Sequence, residues 1–236
     1  MPLKKYFKEE QKVLIRTIGG DGTGKVEALT SYLKDQGSNY LDLELPYGAS
    51  GDESYPFNTE KKFEILSDSM GIGIRLTGHF EKYLSSSVIR IRHNSDLTMI
   101  KRRVEERRDM IVSIGYTKGT GKLRSFQQQW QKNLQILQNT KDTSKLPKFP
   151  DIPVNISPTG VGFKVKTPVH IADLCLIYLD LKDGQPPICT MSEVVWRSDE
   201  EAKGRCMAGF QFLSILESDQ KRILKLVKAP PKKEEE

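Results

Sequence analysis

The feature that most restricts this chain is a succession of short, β-rich segments cut apart by glycine and proline. LDLELPYG (Leu41 to Gly48) alternates apolar and polar residues and stops at a proline; GIGIRLTG (Gly71 to Gly78) and SVIRIRH (Ser87 to His93) follow. Further on come VGFKVKTP, LCLIYLDL, ICTMSEVVW and AGFQFLSI. A period of two places every second side chain on one face of a sheet, and many such runs at short spacing point to barrels or sandwiches. Two segments break the pattern. RSFQQQWQKNLQILQ sets Phe126, Trp130, Leu134 and Leu137 on one face of a helix, and LESDQKRILKLV does the same with Leu216, Ile223, Leu224 and Val227, with Ser218 as its expected cap. The first stripe is read as packing on its own barrel, the alternative being a homodimer or partner interface.

At 236 residues the chain can bury one large core or two small ones. HNSDL marks a connector before a basic cluster, which sets a domain boundary between residues 96 and 97. NTKDTSKLPKFPDIP (Asn139 to Pro153) reads as a second loop-like link, and KAPPKKEEE as a disordered tail over 229–236. No run approaches the roughly 20 apolar residues that span a bilayer, and the N-terminus is charged, so the expectation is a cytoplasmic protein without a membrane span. Three separated cysteines and three scattered histidines give neither a disulfide framework nor a metal set. No catalytic constellation can be argued from spacing, and none is expected; nor is a cofactor.

GGDGTGK (Gly19 to Lys25) has the outline of a phosphate-binding loop. Such a loop needs a hydroxyl beside the lysine to hold magnesium, and here Val26 stands in that place. The repeated strand–helix alternation of an α/β nucleotide hydrolase is missing as well. VEALTSYL, which follows, reads as a helix or as a strand with Val26, Ala28, Thr30 and Tyr32 on one side. The simpler reading is a glycine turn between two strands.

Two other patterns carry more. KRRVEERR (Lys101 to Arg108) holds five basic residues against two acidic ones and suits an anionic partner. Within it Arg103 and Arg107 form RxxxR, preceded by Arg102. Downstream, NISPTG supplies Asn155, Ser157 and Gly160 as NxSxxG, which by itself is also an ordinary turn between strands. With these motifs, the later VVW and GFQF strands and the closing helix, residues 97–228 resemble the PilZ family of cyclic di-GMP receptors. Residues 1–96 resemble the companion domain of its YcgR-like two-domain members.

The resemblance implies a mainly β chain of two β-barrel domains, the C-terminal one a PilZ barrel with an inserted helix (about 118–150) and a C-terminal helix. It implies cyclic di-GMP as ligand, bound by Arg102, Arg103, Arg107, Asn155, Ser157 and Gly160. It also implies a switch in interdomain arrangement that signals to a downstream protein, with no chemical turnover. Arginine suits this ligand because its planar fork pairs with phosphate and with guanine O6 and N7, and its face stacks on a base. Asparagine can donate and accept, and glycine allows close backbone approach or a positive φ. The chain departs from the pattern in the 47 residues between Arg107 and Asn155 and in Glu105 and Glu106 between the arginines. Competing readings are a nucleic-acid-binding barrel, which basic residues on strands would serve, and a P-loop-like hydrolase.

Overall fold

The computed structural model describes residues 3–18, 24–47, 55–69, 71–101, 105–119, 122–140, 146–166, 168–199 and 205–230. They form thirteen strands, two α-helices and one short 3-10 turn, Leu3–Lys5. The chain divides into two compact units: Met1–Val104 with Thr120–Gln131, and Glu105–Gly119 with Lys132–Glu236.

The first unit contains β1 (Lys12–Ile18), β2 (Lys25–Gln36), β3 (Tyr40–Glu44), β4 (Lys62–Ser69), β5 (Ile72–Tyr83) and β6 (Val88–His93). Each pairs antiparallel with two others in the cyclic order β1-β2-β3-β6-β5-β4, so the sheet closes into a six-stranded barrel. Closure removes the exposed edges that a β-sheet must otherwise protect. Alternate residues fill the interior, among them Val13, Ile15, Leu41, Leu43, Ile89 and Ile91, all at most 1% exposed. A seventh strand, β7 (Thr98–Lys101), pairs with the start of β5 through Ile72↔Lys101 and Ile74↔Met99. The connector at residues 94–97 therefore leads into one more strand of this sheet before the basic cluster.

VEALTSYL lies within β2 and is a strand. It pairs with β1 through Leu14↔Thr30 and Arg16↔Ala28. A phosphate-binding loop needs a helix N-terminus after its lysine, because the first-turn N–H groups bind the anion. Lys25 instead opens a strand, so GGDGTGK is not followed by the helix a phosphate-binding loop requires. Gly24 has φ +66°, as a turn glycine does; Gly19 to Thr23 lie outside the described residues.

The second unit repeats the strand order. It contains β8 (Arg108–Lys118), β9 (Asp151–Ser157), β10 (Gly160–Val165), β11 (Leu174–Asp180), β12 (Ile188–Arg197) and β13 (Cys206–Leu216). They close in the cycle β8-β9-β10-β13-β12-β11, all antiparallel. In both units a three-stranded meander is followed by a crossing connection and a second meander that closes the ring. Phe163 and Phe210 stack inside the second barrel at 4.8 Å. Its closing helix, α2 (Glu217–Lys228), packs on β9 and β13 and buries Ile223 completely. Ser218 is not its cap: Leu216 holds that place with no side-chain hydrogen bond. Glu217 and Asp219 in the first turn and Lys225 and Lys228 in the last favour the helix dipole instead.

The long connection from β8 to β9 carries α1 (Leu123–Asn139). Its stripe of Phe126, Trp130, Leu134 and Leu137 is buried, each residue at most 8% exposed. Its first half groups with the first unit, not with the barrel into which the sequence inserts it. The Nζ of Lys25 on β2 stands 5.8 Å from the centroid of the Trp130 ring, within cation–π range. The loop expected over Asn139 to Pro153 ends sooner, because Asp151 already pairs with Ser113 in the β8–β9 ladder.

Candidate functional site

The ladder between β8 and β9 brings the two sequence motifs together. Arg108 pairs with Ile156 and Asp109 with Asn155. Arg107, exposed, immediately precedes β8. Arg108, the residue after RxxxR, and the start of NxSxxG thus lie on neighbouring strands, despite the 47 residues between the motifs. This follows from the alternation of β9: Val154 and Ile156 point into the core, at 4% and 0% exposure, so Asn155 stands on the outer face. Arg102 and Arg103 lie outside the described residues. Glu105 is half-buried and Glu106 exposed.

The two described arginines have different surroundings. Arg108 turns back to α2 and donates from Nη1 to the carbonyl oxygens of Leu226, at 3.1 Å, and of Ala229. It thereby satisfies carbonyls that the end of a helix leaves open. Arg107 is exposed and follows the exposed Glu106.

Of the second motif, Asn155 donates from Nδ2 to the Asp109 carboxylate at 2.8 Å. That bond orients the side chain and leaves its carbonyl oxygen as an acceptor for an arginine or base N–H. Ser157 is buried, and its Oγ donates to the carbonyl of Gly160 at 3.3 Å across the turn. Its hydroxyl therefore braces the β9–β10 hairpin. Gly160 does not have positive φ; it is needed for close approach, since a Cβ there would collide with the carbonyl oxygen of Phe210 on β13. The hairpin is fixed further by Phe212 N–H on the Thr159 carbonyl at 2.9 Å and by Gln220 of α2 on the Pro158 carbonyl at 3.1 Å.

α2 is itself clamped. Arg222 forks onto Asp183 at 2.9 and 2.8 Å and reaches Asp219 at 2.9 Å. Burial pushes the Asp219 carboxyl up, with Arg222 opposing; Asp183 is held low, because Arg222 outweighs the burial. This network ties the 183–186 turn to the helix that backs the hairpin.

The motif search passes over Asp109, which orients Asn155, and over the glycines of the neighbouring strands. Gly162 pairs with Asn155 on one side and Gly209 on the other, and Gly209 pairs with Trp196 of β12. Glycine inside a strand signals close approach of another group, and that signal stands in VGF and AGF. Cys175 and Cys189 are completely buried, and burial pushes both thiols up to about 12, which keeps them unreactive. Among the described residues, no three His, Cys, Asp or Glu side chains group closely enough to hold a metal ion. No described helix is long and apolar enough to cross a membrane.

The second unit is a closed six-stranded barrel backed by a C-terminal helix. Residues 137–229 match the family model described as the PilZ domain. The match includes Asn155, Ser157 and Gly160 and begins after the arginine arm. Solved structures similar to the chain include the Bacillus subtilis inhibitor of motility MotI/DgrA, at 11% identity over 94% of this chain and 96% of that one, with TM-score 0.37. YcgR from Escherichia coli in complex with c-di-GMP is 13% identical over 91% of this chain and 82% of its own, with TM-score 0.33. The K. pneumonia MrkH–c-di-GMP complex is also 13% identical, over 91% and 85%, with TM-score 0.32. No curated protein matches the sequence.

Proposed function

We propose that the protein is a cyclic di-GMP receptor. Its ligand sits where the arginine arm meets the β9–β10 hairpin, and Arg102, Arg103, Arg107 and Asn155 contact it while Ser157 and Gly160 shape the turn. The observation that supports this is the β8–β9 register, in which Arg108, the residue after the arginine motif, pairs with Ile156 of NxSxxG, in a chain whose residues 137–229 match the PilZ domain model. The ligand is a dianion with two guanines, and arginine pairs with both parts at once. Binding orders the arm, changes the arrangement of the two units and so signals to a protein partner in the cytoplasm; no bond in the ligand is made or broken.

Calorimetric titration with cyclic di-GMP tests the reading. The wild type should bind at micromolar affinity or better, and an Arg103→Ala, Arg107→Ala variant should lose at least 100-fold, about 1.4 kcal/mol per tenfold. Absence of binding by the wild type overturns the proposal.

A further inference from the structure

A second group of polar side chains on the barrel of the second unit stands apart from the β9–β10 hairpin. Ser113 on β8 pairs with Asp151 at the start of β9 and with Asp180 at the end of β11. Val112 and Ile114 on either side of Ser113 point into the core, as does Leu179 beside Asp180, so the row from Asp151 through Ser113 to Asp180 lies on the outer face. It is five residues along β8 from Arg108, or about 17 Å. All three residues line a cavity of about 550 Å³, a volume in the range of small-ligand sites.

Two walls complete the cavity. Leu146, Pro147 and Phe149 come from the segment before β9, and Gly184, Gln185 and Pro187 from the β11–β12 turn. Both walls are fixed. The Phe149 ring is stacked on Tyr178 at 5.5 Å and fills the space that a side chain at Gly115 would take. The turn is held by Arg222 of α2, which donates to the Asp183 carboxylate and, at 3.0 Å, to the Pro186 carbonyl. Walls set in advance lower the entropic cost of filling a site.

The charges in the lining are unequally satisfied. Asp151 accepts from Ser113 Oγ and, at 2.5 Å, from Lys182 Nζ. Lys182 makes that contact from a left-handed backbone, φ +55°, which residues other than glycine rarely adopt. Asp180 is half-buried and, among the described residues, receives only the Lys182 backbone N–H, at 2.9 Å. A carboxylate has about four acceptor positions, so Asp180 keeps most of its capacity. Lys148 is exposed, and its stem covers the wall while its ammonium stays in water.

A half-buried carboxylate beside a fixed aromatic ring favours one group above others. A guanidinium pairs with a carboxylate through two parallel N–H bonds and lays its flat face on a ring, whereas an ammonium is only a point charge. The uncharged walls of Leu146, Pro147 and Pro187 suit the flanks of a peptide better than the charged ends of a free amino acid. We propose that this cavity takes an arginine side chain presented by a segment of a protein partner, with Asp180 as its carboxylate and Phe149 as the surface beneath its guanidinium. The assignment is independent of the receptor reading above.

Record amide correlation spectra of the full chain, wild type and Asp180→Asn, with acetyl-Gly-Arg-Gly-amide, with its citrulline counterpart and with free arginine. Citrulline keeps the shape of arginine without its charge, and asparagine at 180 keeps an acceptor for the Lys182 N–H. The wild type should show saturable shifts at Ser113, Phe149, Asp151, Gly184 and Gln185 at millimolar affinity. Binding should be about tenfold weaker or more for the citrulline peptide and for Asp180→Asn. Equal binding of the two peptides, no saturable shift, or shifts elsewhere on the chain overturn the proposal. Free arginine binding more tightly than the blocked peptide makes this a small-molecule pocket and overturns the assignment to a protein partner. Should Asp180→Asn melt early, the citrulline comparison in the wild type still decides.

Discussion

Arg107 and Arg108 are adjacent in sequence and opposite in task. Arg108 closes the C-terminus of α2, whereas Arg107 stands exposed at the mouth of the β8–β9 ladder. Arg108→Ala should therefore lower stability by about 1–2 kcal/mol, the net worth of charge-assisted hydrogen bonds. Arg107→Ala, at an exposed position off α2, should cost less than Arg108→Ala and should lose ligand. Chemical denaturation beside calorimetry separates the two, and equal melting losses would contradict the division of roles. Gly160→Ala is expected to cost about 1–3 kcal/mol, because the added methyl has nowhere to go against the Phe210 carbonyl. An unchanged denaturation midpoint for that variant would show that the hairpin yields.

At the level of elements, the strands of the first barrel are stitched on their outer face by Glu64 of β4. It accepts from Arg16 of β1 and Arg75 of β5, one on each neighbouring strand. Burial raises its pKa, but the two arginines outweigh this and hold the carboxyl below its ordinary value of 4.5. A carboxyl depressed in the folded state stabilises above the unfolded value, and this stabilisation is lost as pH falls through the folded one. Glu64→Gln should thus be less stable than wild type at pH 7, by on the order of 1–2 kcal/mol. The difference should shrink once pH drops below 4.5. Denaturation midpoints at pH 7, 5 and 3 measure it; a constant difference would mean that the charge is not what matters.

For the whole molecule, two barrels of identical strand order are joined by one chain that leaves the first sheet after Lys101 and enters the second at Arg108. The arginine motif spans that junction. If the ligand orders the junction as proposed, X-ray scattering should show a changed radius of gyration on adding cyclic di-GMP to the wild type. Arg103→Ala, Arg107→Ala should show none. An unchanged profile at saturating ligand would separate binding from any rearrangement.

Periodicity along the chain determined much of this protein. SVIRIRH, LCLIYLDL and AGFQFLSI read as strands and are strands: in the first, one buried face imposes a period of two, and the other two are short β-rich runs buried almost throughout. The steps of four, four and three from Phe126 to Leu137 marked α1, where one buried face imposes the helical period. Gly160 was also legible as a position of close backbone approach. Tertiary structure alone decided what those elements touch. VEALTSYL fits helix and strand locally, and pairing with β1 settled it. The first half of α1 groups with the first unit although its sequence neighbours build the second. The row from Asp151 through Ser113 to Asp180 joins residues from three strands through register. Register depends on which strands close the ring, and that is a long-range choice which no local window of sequence contains.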